Sequence, residues 1–313
     1  MAFRTSQNPP LRDAKILVTG ANGFLGKQLC CQLEQQGASV VRLVRRFPKK
    51  AGQPNLFVSM DLTDGDLSAL LGDLAPDAVI HCAGKTGEPR NFEQQMEQYA
   101  ANFVATARLI EALKTQDKPA RLILVSSAAI YAPMNKGQQA IAETHPWRPT
   151  SKYGVGKAAA AMLGQTFIER RELPVVIAVP FNIIGKGQPA KLVPQAFIDR
   201  LRENPDEITV GDLGAIRDWI DIRDVASALI CLLEPSVPAG IYNIASGTGA
   251  SVGSLLDDLC EILQIRPVIK TDFSAGNLHS VPVSIGDITK IKKFSNWYPK
   301  FSVKDSLSDM LRN

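Results

Sequence analysis

Tyr153 and Lys157 stand four residues apart in Ser151-Lys-Tyr-Gly-Val-Gly-Lys-Ala-Ala-Ala-Ala161, a stretch whose composition predicts a helix. At that interval the two side chains share one helix face. An ammonium close to a phenol favours the phenolate, so the pair is suited to exchanging a proton with a hydroxyl or carbonyl oxygen near neutral pH. Upstream, Ser126 and Ser127 close the apolar run Arg121-Leu-Ile-Leu-Val125, which reads as a buried strand. The Ser127 hydroxyl can share such an oxygen with Tyr153. Tyrosine and lysine at this spacing also occur by chance in many chains, so the reading depends on a place for an electron carrier.

That place is Lys15-Ile-Leu-Val-Thr-Gly-Ala-Asn-Gly-Phe-Leu-Gly26. Ile16 to Thr19 reads as a strand and Phe24 to Gln36 as a helix, with Gly20, Asn22, Gly23, Phe24, Leu25 and Gly26 forming the turn. Glycine at Gly20 and Gly23 lets a pyrophosphate approach the backbone, and Gly26 lets the helix lie close on the strand. Free amides at the helix N-terminus then face the phosphates. An ordinary tight turn is the plain alternative, but the strand before and the helix after favour a dinucleotide loop.

The elements that must position these groups follow in order. Ala38 to Val44 predicts a second strand ending in Arg45-Arg46, where an adenosine ribose belongs. Two guanidiniums suit a 2′-phosphate, which favours NADP(H) over NAD(H), with solvated loop charges as the alternative. Leu56 to Met60 is a third strand, followed by Asp61 and Leu62. Asp61 either hydrogen-bonds an adenine edge or begins the helix from Asp66 to Leu74. Asp77 to Gly84 is a fourth strand in which His81 reads as a satisfied core residue and Ala83 admits a ligand. Asn91 to Leu113 predicts one long helix carrying Asn102. After the serines comes a loop long enough to cover a substrate, then the Tyr153 helix and a sixth strand, Pro174 to Val179.

Beyond it the alternation loosens. Phe181 to Gly185 reads as a turn, Pro189 to Glu203 as a helix, Glu207 to Val210 and Asp218 to Asp221 as short strands. Arg223 to Leu233 follows as a helix capped by Asp221. Gly240 to Ile244 returns as a strand, and helices over 251–263, 287–294 and 302–311 each begin at a capping residue. The expected fold is α/β, a Rossmann-like doubly wound parallel sheet with a smaller mixed C-terminal substrate lobe. Residues 13–180 with about 217–247 would form the dinucleotide domain, and about 181–216 with 248–313 the substrate lobe. Residues 1–12 would form a flexible arm.

Composition excludes several classes. The 313 residues are 45% hydrophobic and 21% charged, with a net charge of +4 and no basic block larger than Arg45-Arg46 or Lys49-Lys50. That argues against nucleic acid and suits an anionic small molecule. Five cysteines lie in apolar stretches without metal-ligand spacing, and read as reduced core thiols rather than a metal site. With no apolar leader and no run of membrane-spanning length, a cytoplasmic enzyme is expected.

In order and interval, the glycine loop, Asp61-Leu62, His81-Cys-Ala-Gly84, Asn102, Ser126-Ser127 and Tyr153-Gly-Val-Gly-Lys157 resemble the extended short-chain dehydrogenase/reductases, the NAD-dependent epimerase/dehydratase family. Phe181-Asn182, Arg217-Asp-Trp-Ile-Asp-Ile-Arg-Asp224, Tyr242-Asn-Ile244 and Asn296-Trp-Tyr-Pro299 extend the likeness over roughly 13–311. The resemblance implies that Ser127, Tyr153 and Lys157 are catalytic. It implies that Lys157 also holds the nicotinamide ribose, that Pro180 borders the cofactor, and that Thr86, Ser127, Asn182 and Arg217 touch a nucleotide-sugar substrate. A salt bridge to Asp221 or Asp224 is the alternative for Arg217. The resemblance further implies a homodimer through a four-helix bundle of the helices at 91–114 and 150–170. Val179 and Tyr131-Ala-Pro133 depart from the family's usual arginine and Tyr-Gly.

The family's dehydratases carry an acidic residue shortly after the catalytic serine or threonine, whereas this chain has Ala128 and Ala129. Dehydration is therefore not expected. An NADP(H)-dependent reductase of a keto group on a nucleotide-activated sugar, of the 4-keto-6-deoxyhexose type, is the first reading. A 4-epimerase with tightly bound NAD is the second, and a non-catalytic NADP-binding sensor or scaffold is the alternative of another class.

Overall fold

The computed structural model of the protein describes residues 11–47, 57–272 and 281–312. Most of the predicted N-terminal arm, Lys49-Lys50, Leu56 and part of the predicted substrate lobe lie outside them. Leu11, placed in the arm by sequence, is buried in the main core.

Seven parallel strands form the central sheet: β1 (Lys15–Thr19), β2 (Ser39–Val44), β3 (Phe57–Ser59), β4 (Ala78–His81), β5 (Arg121–Val125), β6 (Val175–Pro180) and β11 (Gly240–Ile244), in the order β11-β6-β5-β4-β1-β2-β3. Fully buried Val176, Ile177 and Ala178 show why these strands read as continuous apolar runs: helices cover both faces. Between β1 and β4 the direction of winding reverses, opening a crevice at the carboxyl ends of the strands. The helices that pack on the sheet include α1 (Phe24–Gln35), α2 (Leu67–Leu74), α5 (Lys152–Glu169) and α7 (Ile222–Cys231).

The predicted helix at 91–113 is three pieces: α3 (Phe92–Tyr99), a π-helical turn at Ala100–Val104, and α4 (Ala105–Lys114). The wide turn buries Asn102, whose amide bonds both backbone groups of Lys85 at 2.8 and 3.0 Å. Regular apolar spacing carries no mark of such a turn.

A second apolar cluster gathers Phe197, Ile198, Ile208, Leu255, Leu259 and Leu307 from α6 (Val193–Glu203), β8 (Glu207–Val210), α8 (Val252–Leu263) and α10 (Val303–Leu311). Phe181 to Gly185 is not simply a turn. It contains β7 (Asn182–Ile184), paired in parallel with β10 (Trp219–Asp221). Two further small sheets escaped the sequence reading: β13 (Val268–Thr271) lies beside β8, and β9 (Ile216–Arg217) sits between β12 (Ala250–Ser251) and β14 (Val283–Ser284). Strands of two to four residues leave too little alternation to detect. Ser251 and Ser302 cap α8 and α10 as expected, whereas α9 (Thr289–Ser295) has no side-chain cap at its Ile288 N-cap; Asp287 accepts from the Thr289 amide instead.

Candidate active site

The crevice between β1 and β4 is a cleft of about 750 Å³. Gly20, Asn22 and Gly23 line it from the first turn, Arg45 and Arg46 from the end of β2, Asp61 and Leu62 from beyond β3, and Ala83 from beyond β4. Its chemistry fits a dinucleotide. Gly20 has φ 66°, and a Cβ there would sit 2.7 Å from the Ala83 backbone. A side chain at Gly26 would strike the Gly20 carbonyl. Helix α1 starts at Gly23 with no side-chain cap and no acidic residue in its first turn, which leaves its amides and the positive end of its dipole to an anion.

Around the outer half, Arg45 and Arg46 are exposed at the carboxyl edge. Asp61 does not cap α2; Asp66 does. Asp61 accepts from the Thr63 amide and hydroxyl, which hold it below the usual carboxylate range, with Arg45 adding to the effect. Sequence reasoning missed Lys85 and Glu97, which also line the cleft and pair with each other. No motif marks them, because the β4–α3 loop is what brings them together.

At the inner end, Lys157 is buried and donates from Nζ to the Val125 carbonyl at 2.9 Å. A Cβ on cleft-lining Gly84 would lie 3.5 Å from that Nζ, so the lysine abuts the cleft. The Ser127 hydroxyl lies close enough to the Tyr153 phenol to lower its pKa. Ser127 is held at the N-cap of a short turn, Ala128–Ile130, by accepting from the Ala129 amide. Ser126 is buried and its hydroxyl has no partner, an unmet polar group at the same strand end. His81 is the core residue expected, bridging Thr19 and Thr106 at 2.8 and 3.0 Å.

One electrostatic expectation is corrected. Burial raises the Tyr153 phenol above its ordinary value, offset in part by the Ser127 hydrogen bond. Burial also lowers Lys157 to about 8. The ammonium is turned to the Val125 carbonyl, and at the phenol desolvation outweighs the Ser127 hydroxyl. Tyr153 is thus held protonated rather than made acidic.

The loop after Ser127 is fastened down. Tyr131 donates to Asn243 at 2.7 Å, Glu143 accepts from the Asn243 amide at 2.9 Å, and Ile141 bonds the Ile285 carbonyl at 2.7 Å.

On the far side of the site, the Asn182 amide donates to the Asp218 carbonyl, which puts Asn182 beside the β9–β10 segment. Arg217 makes no salt bridge with Asp221 or Asp224. Its guanidinium is half-buried and bonds the Ile216 and Pro282 carbonyls, while Asp221 holds Arg223 and Asp224 takes the Lys300 and Phe301 amides. Thr86 is exposed on the β4–α3 loop, and Pro180 is buried at the end of β6. Phe24, Leu25, Gly26 and Asn102 support the cleft without lining it. Among the cysteines, Cys30 is buried but Cys31 is exposed on the outer face of α1, so the reading of all five as core thiols fails there. Among the described residues, no cluster could hold a metal ion and no helix is long and apolar enough to cross a membrane.

A parallel sheet wound both ways, a glycine turn at its crevice, Ser127 just past β5 and Tyr153 and Lys157 on α5 are the arrangement of a short-chain dehydrogenase/reductase. The model of the NAD dependent epimerase/dehydratase family matches residues 16–245, and the chain belongs to that family of enzymes. It is 28% identical to GDP-6-deoxy-D-mannose reductase of Pseudomonas aeruginosa, over 95% of this chain and 96% of the relative. It resembles the solved structure of RMD from Pseudomonas aeruginosa complexed with NADPH, with TM-score 0.80 and 28% identity over 96% of each chain. A second solved structure, MoeE5 in complex with UDP-glucuronic acid and NAD, gives TM-score 0.83 at 26% identity over 95% of this chain and 97% of that one.

Proposed function

We propose that the protein is an NADP(H)-dependent reductase of a keto group on a nucleotide-activated sugar, of the 4-keto-6-deoxyhexose type. The observation that carries this reading is the Ser127–Tyr153 pair, with Tyr153 one turn of α5 from the Lys157 that abuts the cleft, and with Ala128 and Ala129 where a dehydration would need a carboxyl. A protonated phenol is the state that can give a proton to a carbonyl oxygen.

Gly20, Gly23 and the α1 amides would hold the pyrophosphate, Arg45 and Arg46 the 2′-phosphate, and Asn102, Lys157 and Pro180 the inner half. When bound, the nicotinamide supplies the hydride. Tyr153 passes its phenolic proton to the substrate oxygen as negative charge grows there, and Ser127 donates a second hydrogen bond to the same oxygen. Lys157 keeps a positive charge beside the pair. Thr86, Asn182 and Arg217 would bind the nucleotide-sugar, Arg217 by clamping the diphosphate. In this reading residues 181–216 and 248–313 form the substrate lobe, and the free thiols suit a reducing cytoplasmic compartment.

The relatives' cofactors differ, so the preference for NADP(H) rests on Arg45 and Arg46. Mass spectrometry of the nucleotide released from the purified protein, combined with NADPH consumption on a panel of keto sugar nucleotides, tests it. Stoichiometric NAD with no NADPH consumed would replace the reductase by a 4-epimerase. Phe92, Met96, Val104 and Met162 are exposed along α3, the π-helical turn and α5, apolar surface that suits a homodimer packed through a four-helix bundle. Light scattering at micromolar concentration is expected to give twice the monomer mass, and a monomer mass would refute the dimer.

A further inference from the structure

We propose that Glu97 limits how tightly the cleft holds its dinucleotide, by keeping the Lys85 ammonium away from the cofactor's phosphates. The inference rests on the dinucleotide reading of the cleft and adds a carboxylate that no motif marks, one that works against binding. Lys85 follows Gly84 on the β4–α3 loop, and both line the cleft. Its backbone is fixed at both polar groups: the amide donates to Asn102 Oδ1 at 2.8 Å and the carbonyl accepts from Asn102 Nδ2 at 3.0 Å. Glu97 comes from α3, one turn before Ala100 and Ala101 on the same wall, and its carboxylate pairs with Lys85 Nζ.

The pair sits among the charges that an anionic ligand would meet. Of the described residues lining the cleft, Arg45, Arg46 and Lys85 are cations and Asp61 and Glu97 are carboxylates. The Thr63 hydrogen bonds at Asp61, and the Lys85 hydrogen bond and charge at Glu97, hold each carboxyl below its usual range. Arg45 adds to both, so the two carboxylates share one guanidinium's field. Asp61 is committed to the Thr63 amide and hydroxyl, whereas among the described residues Glu97 has Lys85 as its partner. With side chains 38% and 62% exposed, Lys85 and Glu97 can part without leaving a buried charge, and such pairs add little to stability. The fold therefore does not require Glu97 there, and a site built for affinity alone would carry Lys85 without it. A reductase must give up its oxidised cofactor in every turnover, and release often limits the rate. A carboxylate that occupies one of three cations serves that exchange.

The test is calorimetric titration of the full-length protein, stripped of copurified nucleotide, with NADP and with NAD. Glu97→Gln is expected to bind the preferred dinucleotide roughly tenfold more tightly than the wild type, with an affinity that falls more steeply as salt is added. Damage to the site would weaken binding, so a gain cannot come from misfolding. Lys85→Met, which leaves the carboxylate unpaired, is expected to bind more weakly than the wild type. The double variant Glu97→Gln with Lys85→Met keeps the cleft's charge balance and should return close to wild-type affinity. A Glu97→Gln protein that binds no more tightly than the wild type, or a double variant that keeps the full gain, overturns the role of Glu97 and leaves the cofactor reading intact. If the wild type binds neither dinucleotide, the cofactor reading fails and this inference with it.

Discussion

Lys157→Met is expected to make the protein more stable and nearly inactive at once. Burial lowers the Lys157 pKa from its ordinary 10.5 to about 8. Each unit is about 1.4 kcal/mol, so keeping this ammonium charged at pH 7 costs the fold about 3 kcal/mol. Methionine of similar length removes the charge and also the hydrogen bond to the Val125 carbonyl, worth about 1 kcal/mol. The net gain is about 2 kcal/mol, or a rise in Tm of about 4 °C for a chain of this size. The pH dependence has a definite sign. Between about 8 and 10.5 the unfolded chain holds a proton that the folded wild type has released, so wild-type stability rises with pH across that window. The advantage of the variant should therefore shrink as pH rises towards 10.5. Scanning calorimetry of both proteins at pH 7, 9 and 10, alongside initial rates at pH 7, reads both effects. A variant that melts at or below the wild type at pH 7, or one whose advantage does not shrink with pH, refutes the claim that Lys157 is a strained buried cation.

Tyr153→Phe removes the proposed proton donor but keeps the ring, so turnover should fall by roughly 10² to 10⁴ while Tm and NADP affinity stay near wild type. A variant that keeps its turnover would place the proton donor elsewhere. Asp218→Asn puts an amide where a fully buried carboxylate accepts from the Ser246 amide and hydroxyl and from the Gly247 and Gly286 amides. Donors would then face donors, which should cost on the order of 3 kcal/mol and raise KM through misplacement of Arg217. Unchanged Tm and KM would count against Asp218 as the anchor of that segment.

The nucleotide half was legible because its signals are local. The glycine spacing, the buried strands and the Tyr153–Lys157 interval each follow from a few consecutive residues, and the parallel sheet carries them as expected. What sequence reasoning lost was set by contacts distant in the chain. The π-helical turn that buries Asn102 is tied to Lys85, and the strands around Arg217 pair segments more than thirty residues apart. The acidity expected of Tyr153 failed for a related reason: spacing puts both side chains on one helix face but shows neither that the ammonium turns to the Val125 carbonyl nor how much water both groups have lost.

The stretch from Arg217 to Asp224 separates what such a motif says about architecture from what it says about chemistry. Its ionic residues read alike as letters, yet most of them work inside the fold. Asp218 gathers Ser246, Gly247 and Gly286, and its carbonyl takes the Asn182 amide. Asp221 grips Arg223 at 2.8 Å and accepts from the Ser306 hydroxyl, the guanidinium lies 3.6 Å over Phe301, and Asp224 holds the Lys300 and Phe301 amides. These contacts bind the C-terminal segments to the sheet and so set where Asn182 and Arg217 stand. Only Arg217 among them has its guanidinium in no ion pair with the motif's own carboxylates. A likeness carried by this stretch is therefore evidence of a common scaffold. The proposed reaction rests on other residues: Tyr153 as its proton donor, Ser127 beside it and the two alanines that follow Ser127.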